Sequence, residues 1–208
     1  FMDDTNWYMQ VSFSALHGNI LLSNTTDLTL VSGSNGTHTM TYRGPVLKMI
    51  KAIQGVTYSP DLDYAGPDTI TFTTDDLGGT GTGGALSDSD TLAVVVNGAP
   101  AASNDTYYMA AGEVLTQAAP GVMENDTDVN LDSLQASLVT PPTVGTLVFN
   151  PDGSFTYTPP VGFDGTVTFD YKLSDGRLDS ENATATIVVE RDLEVDISFT
   201  VNGSEITY

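Results

Sequence analysis

Two stretches of this chain share one pattern: Val56-Thr-Tyr58-Ser-Pro60-Asp-Leu-Asp-Tyr64-Ala-Gly66-Pro-Asp-Thr-Ile70-Thr-Phe72-Thr-Thr-Asp-Asp76 and Phe155-Thr-Tyr157-Thr-Pro159-Pro-Val-Gly-Phe163-Asp-Gly165-Thr-Val-Thr-Phe169-Asp-Tyr171-Lys-Leu-Ser-Asp175. They align without a gap, and Tyr157 follows Tyr58 by 99 positions. An internal period of one domain length indicates two related domains in tandem. The 208 residues of the chain suffice for two domains of about 100 residues each.

Strand signals surround this repeat. Short runs of β-branched and aromatic residues bounded by turn residues, such as residues 7–14 and 91–96, predict strands. Asn150-Pro-Asp-Gly153 lies between two such runs and predicts a hairpin turn. Residues 45–53 form the one stretch with a helical pattern. Many short strands separated by Gly and Pro turns predict an all-β fold, namely two tandem β-sandwiches of the immunoglobulin or cadherin type.

The repeat also sets the expected domain bounds. We expect one sandwich over residues 1–97, a second over 98–190, and a β-hairpin extension over 191–208 with Asn202-Gly203 at its turn. Asn97-Gly-Ala-Pro100 would be a short, semi-rigid joint. The first repeat starts only a few residues before its strand at Trp7, whereas the second has some thirty residues before the equivalent region. The first sandwich is therefore predicted to lack its initial strand. The terminal hairpin is an additional element that belongs to neither sandwich.

Composition narrows the range of partners. The net charge is −21 with only six Lys and Arg, which repels nucleic acids and anionic membranes and attracts cations. Cysteine is absent, so no disulfide supports the fold. No apolar stretch approaches the roughly 20 residues that span a bilayer. The sequence begins at Phe1, which suggests a processed end or a piece of a longer protein. We expect binding neither to nucleic acid nor into a membrane.

The motifs of the second repeat resemble a known family. They are Ala119-Pro-Gly-Val-Met-Glu-Asn-Asp126-Thr-Asp128, Gly145-Thr-Leu, Pro151-Asp-Gly-Ser-Phe-Thr-Tyr-Thr-Pro159, Gly162-Phe-Asp-Gly165 and Leu173-Ser-Asp-Gly176. This set is similar to the cadherin-like tandem repeats of large prokaryotic surface proteins and adhesins, and the first repeat resembles a longer variant. The resemblance covers roughly residues 1–190. It implies a non-enzymatic, extracellular, cell-surface β-sandwich that is often stiffened by calcium.

One loop has the composition of a cation site. In Asn125-Asp126-Thr-Asp128-Val-Asn130-Leu-Asp132, oxygen-bearing side chains at alternate positions can converge on one Ca²⁺, which takes six to eight oxygen ligands. The loop is not an EF-hand, because Leu131 stands where that motif has Gly and Ser137 where it has Glu. Asn104 and Asp105 are expected nearby as further ligands. The alternative is an Asx-turn loop in which the side chains cap the loop's own backbone.

A second pair of acidic positions recurs with the repeat. Asp76 and Asp175 occupy the same strand end in the two domains. Each carboxylate either ligates a metal or accepts hydrogen bonds from the backbone of the next turn, and the sequence leaves both readings open. The cofactor expected for the chain is Ca²⁺.

The remaining candidate sites carry weaker signals. Six Asn-x-Ser/Thr sequons are glycosylation candidates: Asn24, Asn35, Asn104, Asn125, Asn182 and Asn202. The two histidines, His17 and His38, are far apart and do not predict a zinc site or a Ser-His-Asp triad. The Gly-rich run 79–84 lacks a Lys and predicts a loop, not a phosphate cradle. Trp7 and Tyr8 either pack in the protein or form a sugar-stacking platform.

These observations predict a non-catalytic extracellular structural or adhesive module, stiffened by calcium. As a sharper hypothesis, residues 193–208 insert into the open first sandwich of the next subunit and build a filament by strand complementation. An equally open alternative is a fragment of a longer adhesin whose neighbouring repeats supply both ends. Another is a calcium-dependent glycan-binding or enzyme-accessory module. The expected partners are copies or neighbouring repeats of the same protein, and a surface glycan or protein.

Overall fold

The computed structural model describes residues 7–79, 83–191, 198–201 and 204–207. The chain divides into two compact units, unit 1 (Phe1–Gly98) and unit 2 (Ala99–Tyr208). Strands dominate both units, which confirms the predicted all-β class. The described part of the chain contains no helix long and apolar enough to cross a membrane.

Unit 2 is a sandwich of a four-stranded and a three-stranded sheet, in the orders β10-β13-β14-β8 and β11-β12-β9. Its strands are β8 (Asp105–Ala110), β9 (Leu115–Gln117), β10 (Gln135–Thr140), β11 (Thr146–Phe149), β12 (Phe155–Thr158), β13 (Gly165–Ser174) and β14 (Ala183–Glu190), with a 3-10 turn at Gly121–Met123. The predicted hairpin at Asn150–Gly153 joins β11 to β12 and is confirmed.

Alternation along β13 and β14 builds the core of unit 2. Every second residue of these paired strands is buried: Val167, Phe169, Tyr171 and Leu173 on β13, and Ala183, Ala185, Ile187 and Val189 on β14. Because side chains of a strand point alternately to its two faces, this period places one apolar face against the second sheet. Phe155 and Tyr157 of β12 are equally buried and complete the core.

One continuous segment closes both sheets of unit 2. Strand β8 pairs in parallel with β14 in the large sheet, and β9 pairs with β12 in the small one. The ring of Tyr107 on β8 packs edge-to-face on Phe155, with ring centroids 5.0 Å apart. Residues 105–117 thus cover the edges of both sheets.

Unit 1 pairs a five-stranded sheet, in the order β3-β4-β1-β6-β7, with a two-stranded sheet, β2-β5. Its elements are β1 (Tyr8–Ser14), β2 (Gly18–Leu21), β3 (Thr29–Gly33), β4 (Thr39–Pro45), α1 (Val46–Ile53), β5 (Thr57–Pro60), β6 (Gly66–Asp75) and β7 (Ser87–Val96). The predicted helix is confirmed as α1, which buries Met49 and Ala52 against the core.

The two units repeat their structure as well as their sequence. β5, β6 and β7 correspond to β12, β13 and β14, and β1 and β2 correspond to β10 and β11 by their pairing. The hydroxyl of Tyr58 lies 3.2 Å from the carbonyl oxygen of His17, as that of Tyr157 lies 3.0 Å from the carbonyl oxygen of Val144. Strands β3 and β4 and helix α1 are an insertion of unit 1.

The terminal hairpin is a sheet of its own. β15 (Ser198–Val201) pairs antiparallel with β16 (Ser204–Thr207), and among the described strands these two pair only with each other. Residues 193–197 and the predicted Asn202-Gly203 turn lie outside the described residues.

Candidate functional site

The side chain of Asp128 shapes the acidic loop. Its Oδ1 accepts hydrogen bonds from the backbone amides of Asn130 at 2.8 Å and Asp132 at 3.1 Å, which is the Asx-turn geometry expected of a self-capping loop. Its Oδ2 is buried and has no partner among the described protein atoms. A buried carboxylate oxygen without a partner is costly. This oxygen is therefore available to coordinate a cation.

The loop backbone turns at Leu131, the position at which an EF-hand has glycine. Leu131 has φ of +60°, in the left-handed region, and its side chain is exposed. The sequence argued against an EF-hand because Leu stands here. The structure shows that the conformation is adopted nonetheless, at a steric cost to the Leu backbone.

Asp105 and Asp126 meet around the hydroxyl of Tyr171. This hydroxyl lies 2.9 Å from Asp105 Oδ2 and 3.2 Å from Asp126 Oδ2, and the carbonyl oxygens of Ser103 and Val122 each lie 2.9 Å away. A hydroxyl has one hydrogen to donate, so the cluster contains more acceptors than donors. Asp126 Oδ1 is separately bound by the amide of Ser103 at 2.7 Å.

The crowding of oxygens changes the pKa of both carboxyls. Burial raises the pKa of Asp105 to about 6; the hydrogen bond from Tyr171 opposes this rise, and the charge of Asp126 adds to it. Burial also raises the pKa of Asp126, against the hydrogen bonds from Ser103 and Tyr171. Negative charge at this end of unit 2 is thus disfavoured unless a proton or cation compensates it.

The side chains of the other predicted ligands have hydrogen-bond partners of their own. Asn104 Oδ1 accepts from the amide of Thr184 at 2.8 Å. Asp76 Oδ1 accepts from the amides of Gly78 and Leu86, and Asp175 Oδ1 from those of Arg177 and Leu178. Both repeat-related aspartates therefore cap the next turn. In the described ranges, no three Asp, Glu or His side chains are grouped so that they could hold a metal ion.

The second candidate site is an open cleft in unit 1. The described residues of unit 1 include no counterpart of β8 or β9, so β7 and β5 have no partner among the described strands on the edges where β14 and β12 are paired. Val56, the counterpart of Phe155, is 40% exposed whereas Phe155 is 1% exposed. Leu92, which faces Ile70 as Ala185 faces Phe169, is 57% exposed whereas Ala185 is fully buried.

This cleft has a volume of about 280 Å³. Its lining is free of charged residues and includes Phe13, Ile20, Ile53, Val56, Tyr58 and Leu92. An exposed apolar cleft beside an unpaired strand edge is a site for an added strand, because the edge supplies hydrogen bonds and the cleft takes alternate side chains.

Asp68 is a structural residue whose role the sequence did not reveal. It is 5% exposed and replaces the apolar Val167 of the other repeat. It accepts hydrogen bonds from the Tyr58 hydroxyl at 2.8 Å and from the amides of His17 and Thr69. Burial raises its pKa, but these bonds outweigh burial and the net pKa is lowered. The sequence does contain one sign of this role: Asp68 aligns with the apolar Val167 in the other repeat, which indicates a buried position.

The two histidines and the aromatic pair Trp7 and Tyr8 make separate contacts in unit 1. His17 stacks on Tyr64 with ring centroids 4.2 Å apart, and His38 pairs with Asp61 at 2.8 Å, so the two histidines have different partners. Trp7 and Tyr8 are partly exposed and line a pocket of about 350 Å³.

The glycosylation candidates differ in what their side chains contact. Asn24 and Asn182 are exposed. The Asn35 amide group bonds both backbone groups of Leu22, and that of Asn125 donates to the Asn104 carbonyl. Asn202 lies outside the described residues.

Comparison with known proteins identifies the second repeat. Residues 97–191 match the family model of the bacterial cadherin-like domain, which confirms for this part of the chain the resemblance predicted from sequence. Cadherin-like domains are typically extracellular and non-catalytic modules of adhesion or structure. Among curated protein sequences there is no match.

Solved structures show distant similarity over most of the chain. An endo-fucoidan hydrolase from glycoside hydrolase family 107 is 17% identical with a TM-score of 0.36, and the match covers 92% of this chain and 28% of that one. The protocadherin GammaB4 extracellular domain is 11% identical with a TM-score of 0.39, covering 84% and 28%. Cadherin domains 1–4 of protocadherin gamma B7 are 14% identical with a TM-score of 0.40, covering 91% and 46%. The chain thus spans less than half of each, and these likenesses carry no argument about activity.

Proposed function

We propose that this chain is a non-catalytic extracellular structural module that joins its neighbours by strand complementation. The observation that carries the proposal is the incomplete sandwich of unit 1. Unit 2 buries Phe155 and Ala185 beneath the segment 105–117, whereas unit 1 leaves Val56 and Leu92 exposed. A β7 edge with no partner among the described strands, beside an apolar cleft, favours pairing with a strand from outside the unit.

The arrangement of acceptor and donor predicts an open polymer. The acceptor cleft belongs to unit 1, and the terminal hairpin follows the sandwich of unit 2 in the sequence, so the two contacting surfaces differ. A contact between unlike surfaces generates rings or open filaments, unlike the closed dimer that a self-complementary surface makes. We therefore expect head-to-tail filaments.

Deletion of residues 192–208 tests this proposal. The intact chain should form polymers whose mean mass rises with protein concentration, measured by sedimentation velocity and seen by negative-stain electron microscopy. The deletion variant should remain monomeric and melt as a folded protein. Polymers of unchanged length in the deletion variant, or an intact chain that is monomeric at all concentrations, would contradict the proposal.

The acidic loop of unit 2 is proposed to bind calcium and stiffen the module. Its support is the buried, unpaired Oδ2 of Asp128 and a donor set made only of oxygen, which suits a hard cation. The proposed ligands are Asp126, Asp128, Asn130 and Asp132, with Asn104 and Asp105. The loop would have to draw them together on binding, because no three carboxylates are grouped for a metal ion in the described residues. Bound Ca²⁺ would supply positive charge where burial disfavours carboxylate charge.

Thermal melts test the calcium proposal. A melting temperature several degrees higher in Ca²⁺ than in chelator or Mg²⁺ is expected, because a ligand that binds the native state stabilises it by mass action. Asp128→Asn should abolish this rise. Asp88→Asn, which removes an exposed carboxylate of β7, should leave it unchanged. Identical melts in all three solutions would refute calcium binding.

A further inference from the structure

Unit 2 shows what a complete cleft contains. Within residues 105–117, β8 enters the large sheet, the chain turns at Gly112, and β9 enters the small sheet. Four partly buried apolar residues of this segment pack on the core: Tyr107, Met109, Ala111 and Leu115. One strand–turn–strand segment of 13 residues thus fills both gaps. The described residues of unit 1 leave both positions without a strand, so an occupant that completes the unit needs two strands.

The terminal segment has the same plan. Residues 195–207 also number 13, and they comprise a run with apolar residues at alternate positions, a glycine-containing turn sequence and a second short strand. Ile197 and Phe199 follow Tyr107 and Met109 by 90 positions. In the second strand, Ile206 follows Leu115 by 91 positions, as Gly203 follows Gly112. Residues 195–207, which follow the sandwich of unit 2, therefore match residues 105–117 in length and in apolar pattern, and the described part of unit 1 has no such segment.

We infer that the cleft of unit 1 takes up both strands of the terminal hairpin of a second copy, and that the hairpin opens as it docks. In the complex β15 lies parallel to β7 and β16 lies antiparallel to β5. This inference rests on the proposed strand complementation and specifies its partner. The hairpin must open because β15 and β16 pair with each other in the free chain, whereas β8 and β9 belong to different sheets.

The internal repeat also fixes the register. Met109 of β8 pairs with Val189, whose counterpart in unit 1 is Val96, since Val189 faces Gly165 as Val96 faces Gly66. Leu115 of β9 pairs with Tyr157, the counterpart of Tyr58. Phe199 therefore lies opposite Val96 and Ile206 opposite Tyr58. The absence of charged residues from the cleft lining suits these apolar side chains.

Two substitutions with matched controls test the inference. Phe199→Asp and Ile206→Asp each place a carboxylate at a position that faces the cleft. Thr200→Asp and Thr207→Asp add the same charge at neighbouring positions, which the register turns away from it. Sedimentation velocity of the four full-length variants should show that both cleft-facing changes raise the concentration needed for polymers at least tenfold. Both controls should assemble like the unaltered chain.

The outcomes separate the inference from the proposed function. If Ile206→Asp assembles as well as Thr207→Asp while Phe199→Asp does not, one strand alone is donated and two-strand docking is overturned, although strand complementation stands. If all four variants polymerise alike, the hairpin is not the donor and both ideas fail. A monomeric unaltered chain also overturns both, because the cleft is then filled by another segment or left open.

Discussion

Asp128 and Leu131 shape the acidic loop in different ways. The Asp128 side chain holds the loop by bonding two backbone amides, and Leu131 completes the turn with a positive φ that costs an L-residue about 1 kcal/mol. The Leu131 side chain is exposed, so it makes few packing contacts that would offset this strain. A residue without a Cβ would adopt this conformation freely.

Leu131→Gly should therefore stabilise unit 2 by about 0.5–1 kcal/mol, since relief of the strained φ exceeds the extra chain entropy of Gly. Urea denaturation followed by far-UV circular dichroism measures the change. Val129→Gly, two residues earlier and also exposed but without a positive φ, should destabilise by about 0.5–1 kcal/mol. A loss of stability in both variants would show that the turn imposes no strain on Leu131.

Asp105 should make the stability of unit 2 depend on pH. Its folded pKa of about 6 is above the value of about 3.9 for an unfolded chain, so between these values the folded state binds more protons. Stability in chelator should fall as the pH rises from about 4 to 6 and then stay level. Melting temperatures across this range should show a smaller slope for Asp105→Asn.

Asp152→Asn is the control for this pH dependence. The hydrogen bonds from Ser154 lower the pKa of Asp152, so its effect lies below the unfolded pKa and outside the tested range. The slope between pH 4 and 6 should be that of the unaltered chain. An unchanged slope in Asp105→Asn would assign the pH dependence to other groups.

Single residues also show how far sequence reasoning reaches. Local spacing identified the Asp126–Asp132 loop, because its hydrogen bonds join residues two to four positions apart. It could not identify the oxygens around Tyr171, since Tyr171 and Ser103 are 68 positions apart. Local spacing also assigned no role to Asp68, because Leu16, whose amide binds the Asp68 carboxylate, is 52 positions away.

At the scale of elements, β7 and β14 are counterparts in different surroundings. β14 is paired on both edges, with β13 and β8, whereas β7 is paired with β6 alone among the described strands. The inward positions of β14 are buried, and those of β7 are exposed or half-exposed. Truncating side chains at equivalent positions of the two repeats should therefore change the free energy of unfolding by different amounts.

Truncation of the matched pair Phe155 and Val56 should show this inequality. Phe155→Ala should destabilise unit 2 by about 3–5 kcal/mol, because it opens a cavity in a closed core. Val56→Ala in a chain without residues 192–208 should cost less than about 1 kcal/mol, because Val56 is already partly in water. The fluorescence of Trp7, the single tryptophan, reports urea unfolding of unit 1, and circular dichroism reports both units. Similar costs at the two positions would mean that the unit 1 cleft is closed.

Element-level prediction succeeded where the signal was local. The β-branched and aromatic run at residues 7–14 predicted β1, and the period of residues 45–53 predicted α1. The sequence did not predict the parallel pairing of β8 with β14 or the order of strands β3 and β4, because pairing between distant segments leaves no local signature.

At the scale of the whole molecule, the charge of −21 opposes association of one copy with another. Few cations offset it, and some are already committed within a unit: Lys48 to Asp27 at 2.6 Å and Lys172 to Asp179 at 2.5 Å. Both pairs are exposed, so they contribute little stability. Assembly must then depend on apolar and backbone contacts that overcome long-range repulsion.

Polymer formation should therefore increase with ionic strength. The screening length falls from about 30 Å at 0.01 M salt to about 8 Å at 0.15 M, which weakens repulsion between copies. Light scattering at fixed protein concentration should rise over this range for the unaltered chain. Phe199→Asp should remain monomeric throughout, and polymers that dissolve on adding salt would instead indicate assembly through ion pairs.

Arg191 provides a cleavage position between the second sandwich and the terminal hairpin. It follows β14, pairs with Asp164, and is the last of the six basic residues in the sequence. Proteases of trypsin-like specificity cut after Lys and Arg, and no such position lies between Lys51 and Lys172. A cut at Arg191 would thus trim a tail of 17 residues and leave the connection between the two units whole. In the proposed assembly, the trimmed molecule would accept a neighbour's hairpin but would have none to donate, so limited digestion would convert a subunit that extends the polymer into one that ends it.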